Sequence, residues 1–240
     1  MSNRAITFIT VHRQFEFRSI EIGCGVTEPE QQHAATQLYH ALCDLMMALQ
    51  CPESLISLRK TLGLQYGIAH SPVGPVHYIP ASRQLALAKQ EGAGRLAHEW
   101  FRAFDHYMGR KAFRASRNLT FASGAWLDGA PQKSHPLNQY LGECFKAVLL
   151  NHDGTQPSEF FRRSWQADQS LQRSYYTRPE ELCARAFEAF VADRAPLNRF
   201  LVNDTLHSDE AYAGLYPQGR QRQVINKAFG FYFQAQEQAF

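Results

Sequence analysis

The period at which apolar residues recur changes along the chain, and that change limits the fold more than any other feature. In the first 90 residues the apolar stretches are short and rich in β-branched and aromatic residues. Residues 5–11 (AITFITV), 15–22 (FEFRSIEI), 76–79 (VHYI) and 84–88 (QLALA) read as strands, the last two as a hairpin across 80–83. Beyond Gly94 the apolar residues recur at steps of three and four, which predicts helices over about 95–108, 137–151, 157–173, 179–193 and 219–238. One helix comes early. Thr27, Pro29 and Glu30 form a capping box with a proline in the first turn, followed by Ala35, Leu38, Leu42, Leu45, Met46 and Leu49 and a stop at Cys51-Pro52. Gly109 stands at a C-cap position for the 95–108 helix, and 110–136 reads as a long loop with a short strand at 119–122. Strands gathered early and helices packed after them make an α+β class, and without internal repeats the economical reading is a single domain over 1–240.

Composition removes several classes of function. Hydrophobic residues are 45% and charged residues 20%, enough for a core and too apolar for wholesale disorder. The 25 Lys and Arg against 22 Asp and Glu leave +3, too little to argue by charge alone for nucleic acid or an anionic membrane. Five cysteines without a CxxC pair read as reduced thiols, not as a disulfide framework or a zinc ribbon. The first apolar run is broken at Thr7, Thr10 and His12, so it fails as a signal peptide, and no run approaches the roughly 20 residues of a membrane span. The expectation is a cytoplasmic protein with no membrane partner.

Chemistry concentrates in Leu96-Ala97-His98-Glu99-Trp100-Phe101-Arg102-Ala103-Phe104-Asp105-His106-Tyr107. This is close to the zincin helix, in which two histidines one turn apart bind zinc and the glutamate after the first polarises the metal-bound water. Arg102 stands at the second ligand position. A guanidinium has five donors and no acceptor and stays protonated, so it cannot coordinate a metal. Positions four and seven after His98 lie within about 40° of it on a helix, so His98, Arg102 and Asp105 share a face while His106 is turned roughly 80° away. Asp105 could therefore be an oxygen ligand, a partner to Arg102 or a hydrogen-bonded residue at the edge of the core. Downstream, Glu181, Arg185 and Glu188 share a face of another helix. Glu181 matches the glutamate that one class of zincins uses as a third ligand; the bland alternative is a ladder of charge pairs on a solvated face.

With these residues the sequence resembles the first of the large polyvalent protein-associated domains of phages, prophages and mobile elements, also met in bacterial proteins labelled CLCA_X. The resemblance runs through 17–23 (FRSIEIG), 62–67 (LGLQYG), 77–80 (HYIP), 92–100 (GAGRLAHEW), 105–107 (DHY) and 176–188 (YTRPEELCARAFE). It implies a zincin-like metallopeptidase fold, with a small mixed sheet, an edge strand beside the motif helix and several packed helices. Carried over residue by residue, His98 matches the first metal ligand, Glu99 the general base and Glu181 the glutamate ligand. Asp105 matches a group behind the ligands, with His106, Arg185 and Glu188 in supporting or structural places. Arg102 departs from the histidine expected there.

Two readings follow. In one, the chain is an atypical zinc-dependent metallopeptidase in which His98 and Glu181 hold zinc, Asp105 or water fills the vacancy, and Glu99 is the base. In the other, Arg102 takes the metal's place, pairs with Glu181 or Glu99, and leaves an inactive homologue that binds a peptide or protein partner. The second is favoured, because a cation planted at a cation site opposes metal by charge as well as by lost coordination. A nucleic-acid-associated role rests on Arg110, Lys111, Arg114 and Arg117 around Phe113, and on Arg220 and Arg222. The match of 92–97 (GAGRLA) to a dinucleotide fingerprint is weak, since the sequence before it reads as an antiparallel hairpin.

Overall fold

The computed structural model describes residues 5–68, 76–89, 94–114 and 121–238. The elements in chain order are α1 (Phe8–Phe15), β1 (Ile20–Ile22), α2 (Glu28–Leu49), α3 (Glu53–Ile56), β2 (Gly63–Tyr66), β3 (Val76–Ile79), β4 (Gln84–Leu87), α4 (Leu96–Ala112), α5 (Ala122–Leu127), α6 (Pro136–Leu149), α7 (Glu159–Ser170), α8 (Pro179–Ala192), α9 (Asp209–Tyr212) and α10 (Gly219–Gln238). Contacts group the chain into two compact units, Met1–Ala103 with Ala195–Asn203, and Phe104–Arg194 with Asp204–Phe240. The α+β class holds. No described helix is long and apolar enough to cross a membrane.

The first unit carries a four-stranded mixed sheet in the order β1-β2-β4-β3. β1, β2 and β4 run parallel, with Ile20 opposite Leu64 and Leu64 opposite Leu85; β3 runs antiparallel to β4, with Tyr78 opposite Leu85. One face is apolar through Leu64, Tyr66, Val76, Tyr78, Leu85 and Leu87, all buried. The other bears Glu21, Gln65 and Gln84, joined by an amide–carboxylate bond of 2.8 Å (Gln84 to Glu21) and an amide–amide bond of 2.9 Å (Gln65 to Gln84). α2 begins at the Thr27–Glu30 capping box and buries Leu38, Leu42, Leu45 and Leu49, while Met46 is half-buried. The hairpin of β3 and β4 stands where the alternation places it.

Four expectations are corrected. Residues 5–11 are not a strand: Thr7 caps the helix α1 through a reciprocal bond with Thr10, and Phe8, Val11 and Phe15 bury one side of it. Local capping and a seven-residue apolar spacing there outweigh the β-branched composition, and only Ile20–Ile22 of the second stretch is strand. Gly109 does not end the motif helix, which continues to Ala112. The stretch 110–136 is not one loop, since α5 lies within it; Ala122 is helical, and 119–120 fall outside the described residues.

The second unit is helical. α10 packs against α6 and α8, and α5 and α6 pack against α8. Its core is a ring cluster in which Phe104 lies 5.9 Å from Tyr232 and 5.7 Å from Phe233, and Phe187 lies 5.7 Å from Phe229. α8 is buried on every side from Glu181 to Val191.

Candidate functional site

The start of α4 is fixed by a segment a hundred residues away in sequence. The Ala97 amide donates to the Leu201 carbonyl at 3.0 Å, and the Asn203 amide donates to the Gly94 carbonyl at 3.1 Å. Asn198 ties that segment to α2 through Asp44, at 2.6 Å. Gly94 has φ +87°, and a Cβ there would collide with the Asn203 side chain, so only glycine suits the position. Trp100, fully buried, donates from Nε1 to the Ile56 carbonyl at 2.9 Å and locks the rotation of α4.

That rotation drives Glu99 inward to 2% exposure. Its Oε2 accepts the Tyr78 backbone amide of the edge strand β3 at 2.8 Å and Arg102 Nη1 at 3.0 Å; Oε1 faces Arg95 Nη2 at 3.5 Å. A strand amide at the sheet edge needs an acceptor once buried, and the carboxylate supplies it with charge assistance. Glu99, one of the two carboxylates weighed for Arg102, is bonded to it. His98 lies beside it, 3% exposed.

The remaining residues of the motif helix belong to the helical unit. Asp105, fully buried, accepts the Ser123 amide at 2.8 Å and the Ser123 hydroxyl at 2.5 Å. It serves as the cap that Phe121, at the N-cap of α5, has no side-chain group to supply. His106 is buried against the Phe121 ring, with centroids 5.4 Å apart. Burial raises the Asp105 carboxyl to about 7, with Glu180 adding repulsion and the Ser123 bonds opposing both. The folded state then holds this proton more tightly than the unfolded chain between about pH 4 and 7, so this group's contribution to stability declines as pH rises through that window. We expect Asp105→Asn to gain about 2 kcal/mol on the wild type between pH 5 and 8 in urea titrations. A pH-independent difference between the two proteins would show that Asp105 stays ionised.

On α8 the charged residues are not on a solvated face. Glu181, Arg185 and Glu188 are 2%, 4% and 2% exposed, which overturns the surface-ladder alternative. Spacing alone reveals which residues share a face and says nothing of what covers it. Arg185 donates from Nη2 to the Tyr176 carbonyl at 2.5 Å and to Ser164 Oγ at 3.3 Å, and its guanidinium sits over the Phe160 and Tyr176 rings. Burial lowers its pKa from the ordinary arginine value. Glu188 accepts the Tyr216 hydroxyl at 3.1 Å.

Two organising residues carry no periodic signal and escape a sequence reading. Asp168, 2% exposed, accepts the amides of Tyr175, Tyr176 and Thr177 at 3.1, 2.9 and 2.9 Å and the Thr177 hydroxyl at 2.6 Å, which fixes the loop into α8. Asp193 holds Arg222 through two bonds of 2.8 Å. Arg222 is therefore no surface cation, and Phe113 is buried too, so neither is placed to bind a nucleic acid as expected; Arg117 lies outside the described residues, as do Gly92 and Ala93 of the glycine fingerprint. Among the described residues no group of three or more His, Cys, Asp or Glu side chains is gathered to hold a metal ion.

Fold and site together define a mixed α and β protein whose edge strand is bonded to a buried glutamate of an HExxR helix, with a helical unit built around a buried charged face. The family model of large polyvalent protein-associated domain 1 matches residues 167–240, the family that the sequence resembles. The matched part takes in α8, the Asp168 loop and the Asp193–Arg222 pair; α4 precedes it. Neither a curated protein nor a solved structure shows significant similarity to the chain.

Proposed function

We propose that this chain is a zincin-like domain with a degenerate HExxR motif, an inactive peptidase homologue that works as a protein- or peptide-binding module. The observation that supports the reading most is the state of Glu99. A general base needs a lone pair aimed at water, whereas this carboxylate is buried, accepts the Tyr78 amide and Arg102, and has Arg95 at its other oxygen. The donor set also fits a divalent metal poorly: Arg102 contributes charge of the wrong sign and no acceptor at the second ligand position. β3 is an edge strand, and an extended segment can add to such an edge through main-chain hydrogen bonds only where the amides are free, which at Tyr78 the Glu99 carboxylate prevents.

The test is metal content by mass spectrometry of protein purified without chelator and reloaded with zinc, with Arg102→His prepared alongside. We expect the wild type to stay far below stoichiometric zinc and its action on casein to match a blank, and Arg102→His to take up more zinc than the wild type. Near-stoichiometric zinc in the wild type would overturn the reading in favour of an atypical zinc metallopeptidase with His98, Glu181 and Asp105 or water at the metal and Glu99 as base.

A further inference from the structure

We infer that the α7–α8 junction is a docking surface for an acidic segment of a partner protein, one that carries aspartate or glutamate among apolar residues. The junction is rigid by construction. Asp168 binds three successive amides and a hydroxyl of the loop, and Arg185 takes the Tyr176 carbonyl from the other side. A loop held at both its donors and its acceptors loses little conformational freedom on binding.

What this loop presents is cationic. Arg173 and Arg178 are exposed, and no carboxylate among the described residues pairs with either. The Arg173 guanidinium is stacked 4.6 Å from the Tyr176 ring centre and 5.6 Å from that of Tyr175. Stacking leaves the N–H edges of a guanidinium directed outward, the geometry that receives a carboxylate through two parallel bonds.

Apolar side chains are exposed on α7 and at the start of the loop that follows it. Trp165 is 52% exposed and Leu171 54% exposed. At 100° per residue, positions three before and three after Asp168 lie about 60° to either side of it, so both flank the side of α7 from which Asp168 grips the loop. Exposed Trp165, Arg173 and Arg178 with the half-buried Tyr175 and Tyr176 on a rigid element match the composition of a protein-binding hot spot. Base stacking is less well served, because the Tyr176 ring already has Arg173 and Arg185 against it. A protein segment is therefore favoured over a nucleic acid strand. This inference does not need the reading of Glu99 above.

The test uses the full chain, immobilised, against a phage-displayed library of random dodecapeptides. Arg173→Ala/Arg178→Ala, Trp165→Ala and the surface control Arg110→Ala are run in parallel after thermal melts show that each is folded. We expect the selected pool to be enriched in Asp and Glu next to apolar residues. A synthetic peptide from it should bind roughly tenfold or more weakly to the double arginine variant and to Trp165→Ala, and with unchanged affinity to Arg110→Ala. No enriched pool, a pool without acidic bias, or equal binding to the double variant overturns the inference. The last result would leave peptide binding elsewhere on the chain intact. Binding of a labelled 20-nucleotide single strand that depends on the same arginines, with no acidic peptide selected, would replace the protein partner by nucleic acid.

Discussion

Replacing Arg222 by alanine is expected to destabilise the protein by about 3 kcal/mol, to be read as a lower urea midpoint at an unchanged slope. Arg222 is 8% exposed as a side chain and meets Asp193 through two bonds of 2.8 Å. It also donates to the Thr205 hydroxyl at 2.8 Å and to the Ala189 carbonyl at 3.2 Å. Alanine would strand each of these acceptors, and Asp193, with 31% of its side chain exposed, would keep a charge only partly repaid by water. That partial exposure holds the expectation at the lower end of the range for broken buried pairs. Although burial alone raises the Asp193 carboxyl, the bonds from Arg222 and Asn226 hold it below the ordinary value. Its contribution is thus present at neutral pH and lost as pH falls below about 4. A surface arginine tracking phosphates would behave otherwise, its alanine variant changing stability by no more than about 0.5 kcal/mol.

Glu99→Ala is expected to cost about 3 kcal/mol, and Glu99→Gln about half as much, since the amide oxygen still accepts from Tyr78 without its charge. Hydrogen exchange gives a local check. In Glu99→Ala the Tyr78 amide loses its acceptor and should exchange well ahead of its neighbours in β4, while the arginine side chains, 18% exposed for Arg102 and 33% for Arg95, are partly rescued by solvent. In a working peptidase the same substitutions would chiefly remove activity. If both variants unfold with the wild type and the Tyr78 amide stays protected, Glu99 does not bind the helix to the strand and its carboxylate is free to act as a base.

The two largest expected effects sit on interactions of different visibility. Arg102 and Glu99 are three apart on one helix, so their pairing was among the partners that spacing allowed. Arg222 and Asp193 are 29 residues apart and nothing periodic links them. Tyr78 lies in a stretch that carries the resemblance, but its bond to Glu99 is not legible there, because it is made by a backbone amide whose direction depends on which neighbour β3 pairs with.

The same division runs through the fold. The helices α6, α7, α8 and α10, the capping box at Thr27 and the β3–β4 hairpin were legible because each is decided within a few residues, by apolar period, cap chemistry and turn length; the four-residue α9 is too short to show a period. Residues 5–11 were misread because β-branched composition and helix capping compete there on similar energies, and the burial of Phe8, Val11 and Phe15 decides between them. The replacement at Arg102 was a fact of sequence, and with it the poverty of metal donors on that helix. The burial of Glu181, Arg185 and Glu188, the cap that Asp105 lends to α5, and the grip of Asp168 on its loop were decided by tertiary structure alone. A periodic pattern assigns side chains to a face, but only the elements packed against that face determine whether it meets water, an ion pair or a neighbour's unsatisfied amide.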